Sequence, residues 1–154
     1  VTCIAWDGRW LAADGLSTCG DQIINDDAVK LFRVHHPDHG PMMAGLAGMV
    51  PVFAHWLKEL GKEGFPAEAA DMDDACGLFV DRRGGCWTVY ANGLWTRLTG
   101  SYAQGSGGLL ALTVLRDGGS AVDAVRFASR HSTSCGGTIR VYDWKANGVM
   151  KLRN

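Results

Sequence analysis

The dipeptide Asp7-Gly8 lies between two apolar runs, Ile4-Ala5-Trp6 and Trp10-Leu11-Ala12-Ala13, near the start of a 154-residue chain. Aspartate and glycine tolerate the positive φ that the central positions of a tight hairpin demand, so this stretch is expected to fold back as two antiparallel strands. The hairpin constrains what else can form. It sets Thr2 ahead of the first strand, Asp14 just past the second, and Lys30 on the strand expected over 29–34. A hydroxyl beside a free α-amine, with a carboxylate and a lysine in reach, is the outline of an N-terminal nucleophile, in which the amine acts as base for its own side chain.

The remaining segments are read from period and punctuation. Residues 15–27 are polar and glycine-containing, a loop with a short strand at 22–24. Residues 42–47 are small and apolar, a buried strand. Pro51 opens a helix that carries Phe53, Trp56, Leu57 and Leu60 at helical spacing and stops at Gly61. Residues 62–75 are a solvated connection with a short helix at 67–70. Strands are expected at 76–80 and 86–90, joined by the Arg82-Arg83-Gly84-Gly85 turn, and shorter extended pieces at 94–98 and 101–104. Residues 109–115 are apolar nearly all round, as in a helix packed on both sides. Ser120 with Asp123 forms a capping box for a second helix striped by Ala121, Ala124, Val125 and Ala128. A strand at 138–144 closes the chain. The order is α+β, two sheets each covered by helices, in one domain over 1–154.

Composition narrows the function classes. Hydrophobic residues at 47% and charged residues at 20% are globular values, and a formal net charge of −1 carries no basic footprint, so no nucleic-acid or membrane partner is expected. No apolar run approaches a membrane span and no secretory leader is visible. Five cysteines without a C-x-x-C spacing give neither a disulfide framework nor a zinc site, and the expected compartment is the cytoplasm. The turn from His35 to Pro41 holds three histidines but no closed ligand set, so neither a metal nor a cofactor is expected.

In order along the chain stand Thr2-Cys3-Ile4-Ala5, Leu11-Ala12-Ala13-Asp14, Ser17-Thr18-Cys19-Gly20, Lys30, Leu46-Ala47-Gly48, Gly105-Ser106-Gly107-Gly108 and Cys135-Gly136-Gly137. This ordered set resembles proteasome β-subunits and their bacterial HslV-type relatives over essentially the whole chain. The resemblance implies a four-layer αββα sandwich of the N-terminal nucleophile hydrolase type. It also implies a threonine peptidase working in a homo-oligomeric ring on peptides or unfolded proteins, with any ATP-driven unfoldase a separate partner.

Carried over by position, Thr2 matches the nucleophile, Lys30 the cation near its hydroxyl and Asp14 that lysine's partner. Gly48 matches the oxyanion N–H, and Ser106 the hydroxyl that bonds the terminal amine. Ser17, Thr18, Ala28, Leu46, Ala47 and Val50 match the substrate-binding walls, with apolar side chains preferred before the cut. Ser132 and Cys135 stand where relatives carry aspartate and serine, and Leu16 where they carry arginine. A Val1 ahead of Thr2 makes the threonine nitrogen an amide. The expectation is that Val1 is a start codon read literally, with self-cleavage the other route. Two other readings remain: an inactive ring-forming scaffold, and a small-molecule amidase using Thr2 or Cys3. Cys3 is otherwise a small buried strand residue, and tryptophans such as Trp6, Trp10, Trp56 and Trp87 belong to core or interface.

Overall fold

The computed structural model describes residues 1–48, 50–64, 75–90 and 94–153, without the side chains of residues 50–52 and 63. The strands, in chain order, are β1 (Ile4–Trp6), β2 (Trp10–Ala13), β3 (Ser17–Cys19), β4 (Gln22–Asn25), β5 (Leu31–His36) and β6 (Gly40–Ala47), then β7 (Cys76–Asp81), β8 (Cys86–Tyr90), β9 (Trp95–Leu98), β10 (Tyr102–Gln104), β11 (Ile139–Asp143) and β12 (Gly148–Leu152). The helices are α1 (Val50–Glu63), α2 (Gly108–Arg116) and α3 (Ala121–His131). One five-stranded sheet runs β10-β1-β2-β11-β12, another β5-β6-β7-β8-β9, and β3-β4 form a two-stranded sheet of their own. Every pairing is antiparallel.

The four-layer αββα sandwich expected above is therefore corrected. The described residues are mostly antiparallel strand in three sheets, with only three short helices. The physical reason lies in the connections. Tight turns such as the one after Trp6 return the chain directly to its neighbour, and antiparallel strands need no helical crossover. Few segments are left with a helical period. A single described helix, α1, packs on the outer side of the second large sheet, through Phe53, Trp56 and Leu60 against Phe79 and Val89.

The inner faces of the two large sheets meet. Ile4, Trp6, Leu11 and Tyr142 of one interdigitate with Leu31, Met43, Leu78 and Val80 of the other. Opposite faces of the same strands point elsewhere, as the two-residue period requires: Cys3, Ala5, Ala12 and Val141 pack against Ala111, Leu115, Ala124, Val125 and Ala128 of α2 and α3. The small residues of β1 and β2 on that side let the helices approach closely.

Local features refine several expectations. The first hairpin forms, but its closing bond runs from Asp7 N–H to Trp10 O at 3.3 Å, so Gly8 and Arg9 are the central pair, with Gly8 at φ +97°. The Asp7 carboxylate also accepts from Arg9, Trp10 and Ala121 N–H, fastening the turn to the start of α3. The capping box of Ser120 and Asp123 is present. Helix α1 runs through Gly61 and ends before Gly64, whose φ of +82° closes it. Helix α2 buries one face only, Gly108, Ala111 and Leu115, while Leu109 is 80% exposed. The expected helix at 67–70 lies outside the described residues. No described helix is long and apolar enough to cross a membrane.

Candidate functional site

Asp14 is the centre of the site. It sits one residue past β2, is 1% exposed, and has both carboxylate oxygens occupied. Oδ1 accepts from the Cys3 N–H at 2.8 Å and from Lys30 Nζ at 2.8 Å; Oδ2 accepts from Gly136 N–H at 3.0 Å and Leu16 N–H at 3.3 Å. Lys30 is 3% exposed, and the Leu46 N–H donates to its carbonyl at 2.9 Å, so the end of β6 anchors the lysine backbone. A buried ion pair is tolerable only when further hydrogen bonds compensate its lost hydration, and the three amides supply them.

Thr2 lies beside this pair, 3% exposed. Its N–H donates to Ser106 Oγ at 2.9 Å, and the Ser106 hydroxyl donates back to Thr2 O at 3.2 Å. Gly107 N–H donates to the same carbonyl at 3.0 Å. Gly107, not Ser106, occupies the N-cap of α2, and the serine hydroxyl spans the Thr2 backbone. The Val1 carbonyl oxygen accepts from both Thr2 Oγ1 and Lys30 Nζ, the latter at 3.2 Å. The structure thus brings Thr2, Asp14, Lys30 and Ser106 to one end of the space between the sheets, around the Val1–Thr2 peptide.

The other named residues are more spread. Gly48 follows β6 at the Lys30 end with φ +125°. Ala47 lines the inter-sheet core, whereas Leu46 is fully buried in the cluster beneath α1. Ser17 and Thr18 lie half-buried on β3, where the register shifts between them. Ala28 is tied by its N–H to Gly15 O and by its carbonyl to Arg140. The side chain of Val50 lies outside the described residues.

Ser132 caps the end of α3, and its hydroxyl accepts from the Ser134 N–H at 3.1 Å, while Cys135 packs in the same core cluster as Cys3. The neighbouring Cys135, with burial second, pushes the Cys3 thiol well up; Cys3 in turn holds Cys135 below its ordinary value against the opposing effect of burial. Three contributors have no signal in side-chain identity: the backbone amides of Cys3, Leu16 and Gly136.

No family model matches the chain, and neither does any curated protein. Its fold is similar to the solved structure of Thiobacillus denitrificans BPH, with a TM-score of 0.65 and 21% identity, covering 98% of this chain and 97% of that one. At that identity the likeness is one of fold.

Proposed function

We propose that the protein is a threonine-type peptidase in which Thr2, once its nitrogen is a free amine, attacks a peptide carbonyl. The observation that carries this reading is the meeting of Thr2 Oγ1 and Lys30 Nζ on one carbonyl oxygen, that of Val1. A carbonyl in that position is polarised by a cation while a hydroxyl lies beside it. A substrate carbonyl there would meet the same pair.

The roles follow from the contacts. The freed Thr2 amine takes the proton of Oγ1 as it attacks, Ser106 fixes that amine, and Lys30 stabilises the negative charge that develops. Asp14 holds Lys30 in place. Gly48 supplies an N–H to the tetrahedral oxygen. The acyl ester on Thr2 is then resolved by water activated by the same amine. Peptides or unfolded proteins are the substrate class, docking as an added strand along Thr18 and Ala47-Gly48, with Ser17, Ala28, Leu46 and Val50 bordering the side chain before the cut. The working form is a homo-oligomeric ring served by a separate ATP-dependent unfoldase.

The amine is freed by loss of Val1. Either trimming removes it, or Thr2 Oγ1 attacks the Val1 carbonyl carbon, the Val1–Thr2 C–N bond breaks as the nitrogen takes a proton, and water hydrolyses the resulting ester. A second reading, an inactive ring-forming scaffold, draws on Ser132, Leu16 and Val1: the Ser132 hydroxyl accepts from the Ser134 N–H at 3.1 Å, and Val1 makes the Thr2 nitrogen an amide. Intact mass combined with turnover of fluorogenic hydrophobic peptides separates them. A species starting at Thr2 that cleaves, with a silent Thr2→Ala variant, supports the peptidase; a species starting at Thr2 that cleaves nothing supports the scaffold. Cleavage of small amides but not peptides by the same species would point to an amidase.

A further inference from the structure

Beneath the Thr2 site lies a pair of thiols that the proposed reaction does not use. Cys3 is 0% and Cys135 4% exposed, and the two side chains lie in one core cluster although 132 positions apart in the chain. Gly107 seats them together: a Cβ on that glycine would overlap Cys135 Sγ while standing 3.0 Å from Cys3 Cβ and 3.3 Å from Ala128 Cβ. Their surroundings are specific. The Cys3 N–H holds one oxygen of Asp14, and Gly136, which follows Cys135 directly, holds the other. The two cysteines are therefore built into the two arms that grip one carboxylate.

We infer that Cys3 and Cys135 are a redox modification site, closing to a disulfide on exposure to a small hydroperoxide and thereby locking the loop after α3 onto β1. The chemistry balances in two steps. The Cys135 sulfur attacks one oxygen of hydrogen peroxide, the O–O bond breaks, and sulfenic acid and water form. Cys3 sulfur then attacks Cys135 Sγ, the S–O bond breaks, and a second water leaves with the Cys3 proton, so that two thiols are oxidised and one peroxide is reduced.

The environment suits this order. Cys135 is the less enclosed of the two and its thiol lies below the ordinary cysteine value, whereas its neighbour and burial push the fully enclosed Cys3 thiol up. A peroxide is small enough for a sulfur that is 4% exposed. The remaining cysteines lack such a neighbour: Cys19 is exposed on the β3-β4 ribbon, and Cys76 and Cys86 lie in the other sheet.

The test uses the full chain carrying Cys19→Ser, treated with hydrogen peroxide under native conditions, alkylated, digested and mapped by mass spectrometry. The expected product is a peptide pair joined through Cys3 and Cys135, lost on treatment with dithiothreitol and absent from the Cys135→Ser variant. The joined protein should melt about 5–10 °C above its reduced form, because the cross-link closes a loop of most of the chain. Sulfinic acid at Cys135 without a cross-link, or a bridge through Cys76 or Cys86, overturns the assignment. An unchanged or lowered melting temperature in the bridged protein overturns the lock. The mass map does not depend on turnover, so the peptidase reading and this one can fail separately.

Discussion

Lys30 Nζ and Asp14 Oδ1 stand 2.8 Å apart with their side chains 3% and 0% exposed, an ion pair sealed from solvent at the head of both large sheets. Its two halves are not equally replaceable. Removing Lys30 leaves a carboxylate that still accepts from Cys3, Leu16 and Gly136. Removing Asp14 leaves a buried ammonium and three orphaned amides. Asp14→Ala should therefore cost about 3–5 kcal/mol in urea denaturation, and Lys30→Met clearly less. Peptide turnover should fall by roughly 100-fold or more in both. A Lys30→Met protein as unstable as Asp14→Ala would mean that the amides do not hold the carboxylate in place.

Ser106 separates binding of the Thr2 backbone from stability of the helix behind it. Because Gly107, not Ser106, caps α2, Ser106→Ala should cost only about 1 kcal/mol, the worth of ordinary hydrogen bonds. In the proposed reaction its effect on turnover should be larger and confined to kcat, since there the hydroxyl orients the freed Thr2 amine. The kcat profile against pH should also shift, because the hydroxyl bonded to that amine sets how readily it takes a proton. An unchanged profile would leave Ser106 a packing residue.

What could be read in advance divides along a physical line. The pairing of Asp14 with Lys30 is implied only by the family resemblance, whereas the hairpin at Asp7-Gly8 and the capping box at Ser120 are legible because each is written in side chains whose chemistry is local. The extent of helix was not: residues 109–115 are apolar all round, yet Leu109 faces outward, since hydrophobicity alone does not say which faces find a partner. Strands β3 and β12 leave no such signal because neither buries a residue, so neither carries a buried-exposed alternation. The grip on Asp14 was equally invisible, being made by main-chain amides that any residue type could supply. Leu46 and Ala47, expected together at the site, part because neighbours in a strand face opposite ways.

Acid should weaken the fold in two stages. His36 is buried, and its Nδ1 accepts from the N–H groups of Asp38 and His39 at 3.0 and 3.2 Å. Burial, and then the charge of His39, hold it below the ordinary histidine value. The unfolded chain therefore protonates this group first, so stability is full above about pH 6.5 and is lost as pH falls. Asp27 is held down to about 2, first by Lys151 and then by Thr138 and Arg140, so its share is present above about pH 4 and lost on the way to 2. Melting temperatures recorded from pH 7 to 2 should fall in both windows. His36→Asn keeps an acceptor for the two amides and should flatten the first; Asp27→Asn should flatten the second. If neither substitution alters its window, other groups govern the acid response.

Gly105 offers the sharpest test of how tightly the Thr2 carbonyl is held. Its φ is +91°, and a Cβ there would collide with Thr2 O and lie 3.0 Å from Thr2 C. Gly118 provides the control, with a nearly equal φ of +88° and nothing within 4 Å of the same imaginary atom. Gly118→Ala bears only the backbone cost, about 1–2 kcal/mol. Gly105→Ala bears that cost plus displacement of Thr2 O from Gly107 N–H and Ser106 Oγ, so it should lose about 2 kcal/mol more. Turnover should distinguish them further: Gly118→Ala leaves the site untouched, whereas Gly105→Ala moves the nucleophile's own backbone and should lower kcat by at least about tenfold. Equal melting temperatures for the two variants would show that the Thr2 segment yields freely, and the preorganisation on which the peptidase reading depends would be lost with it.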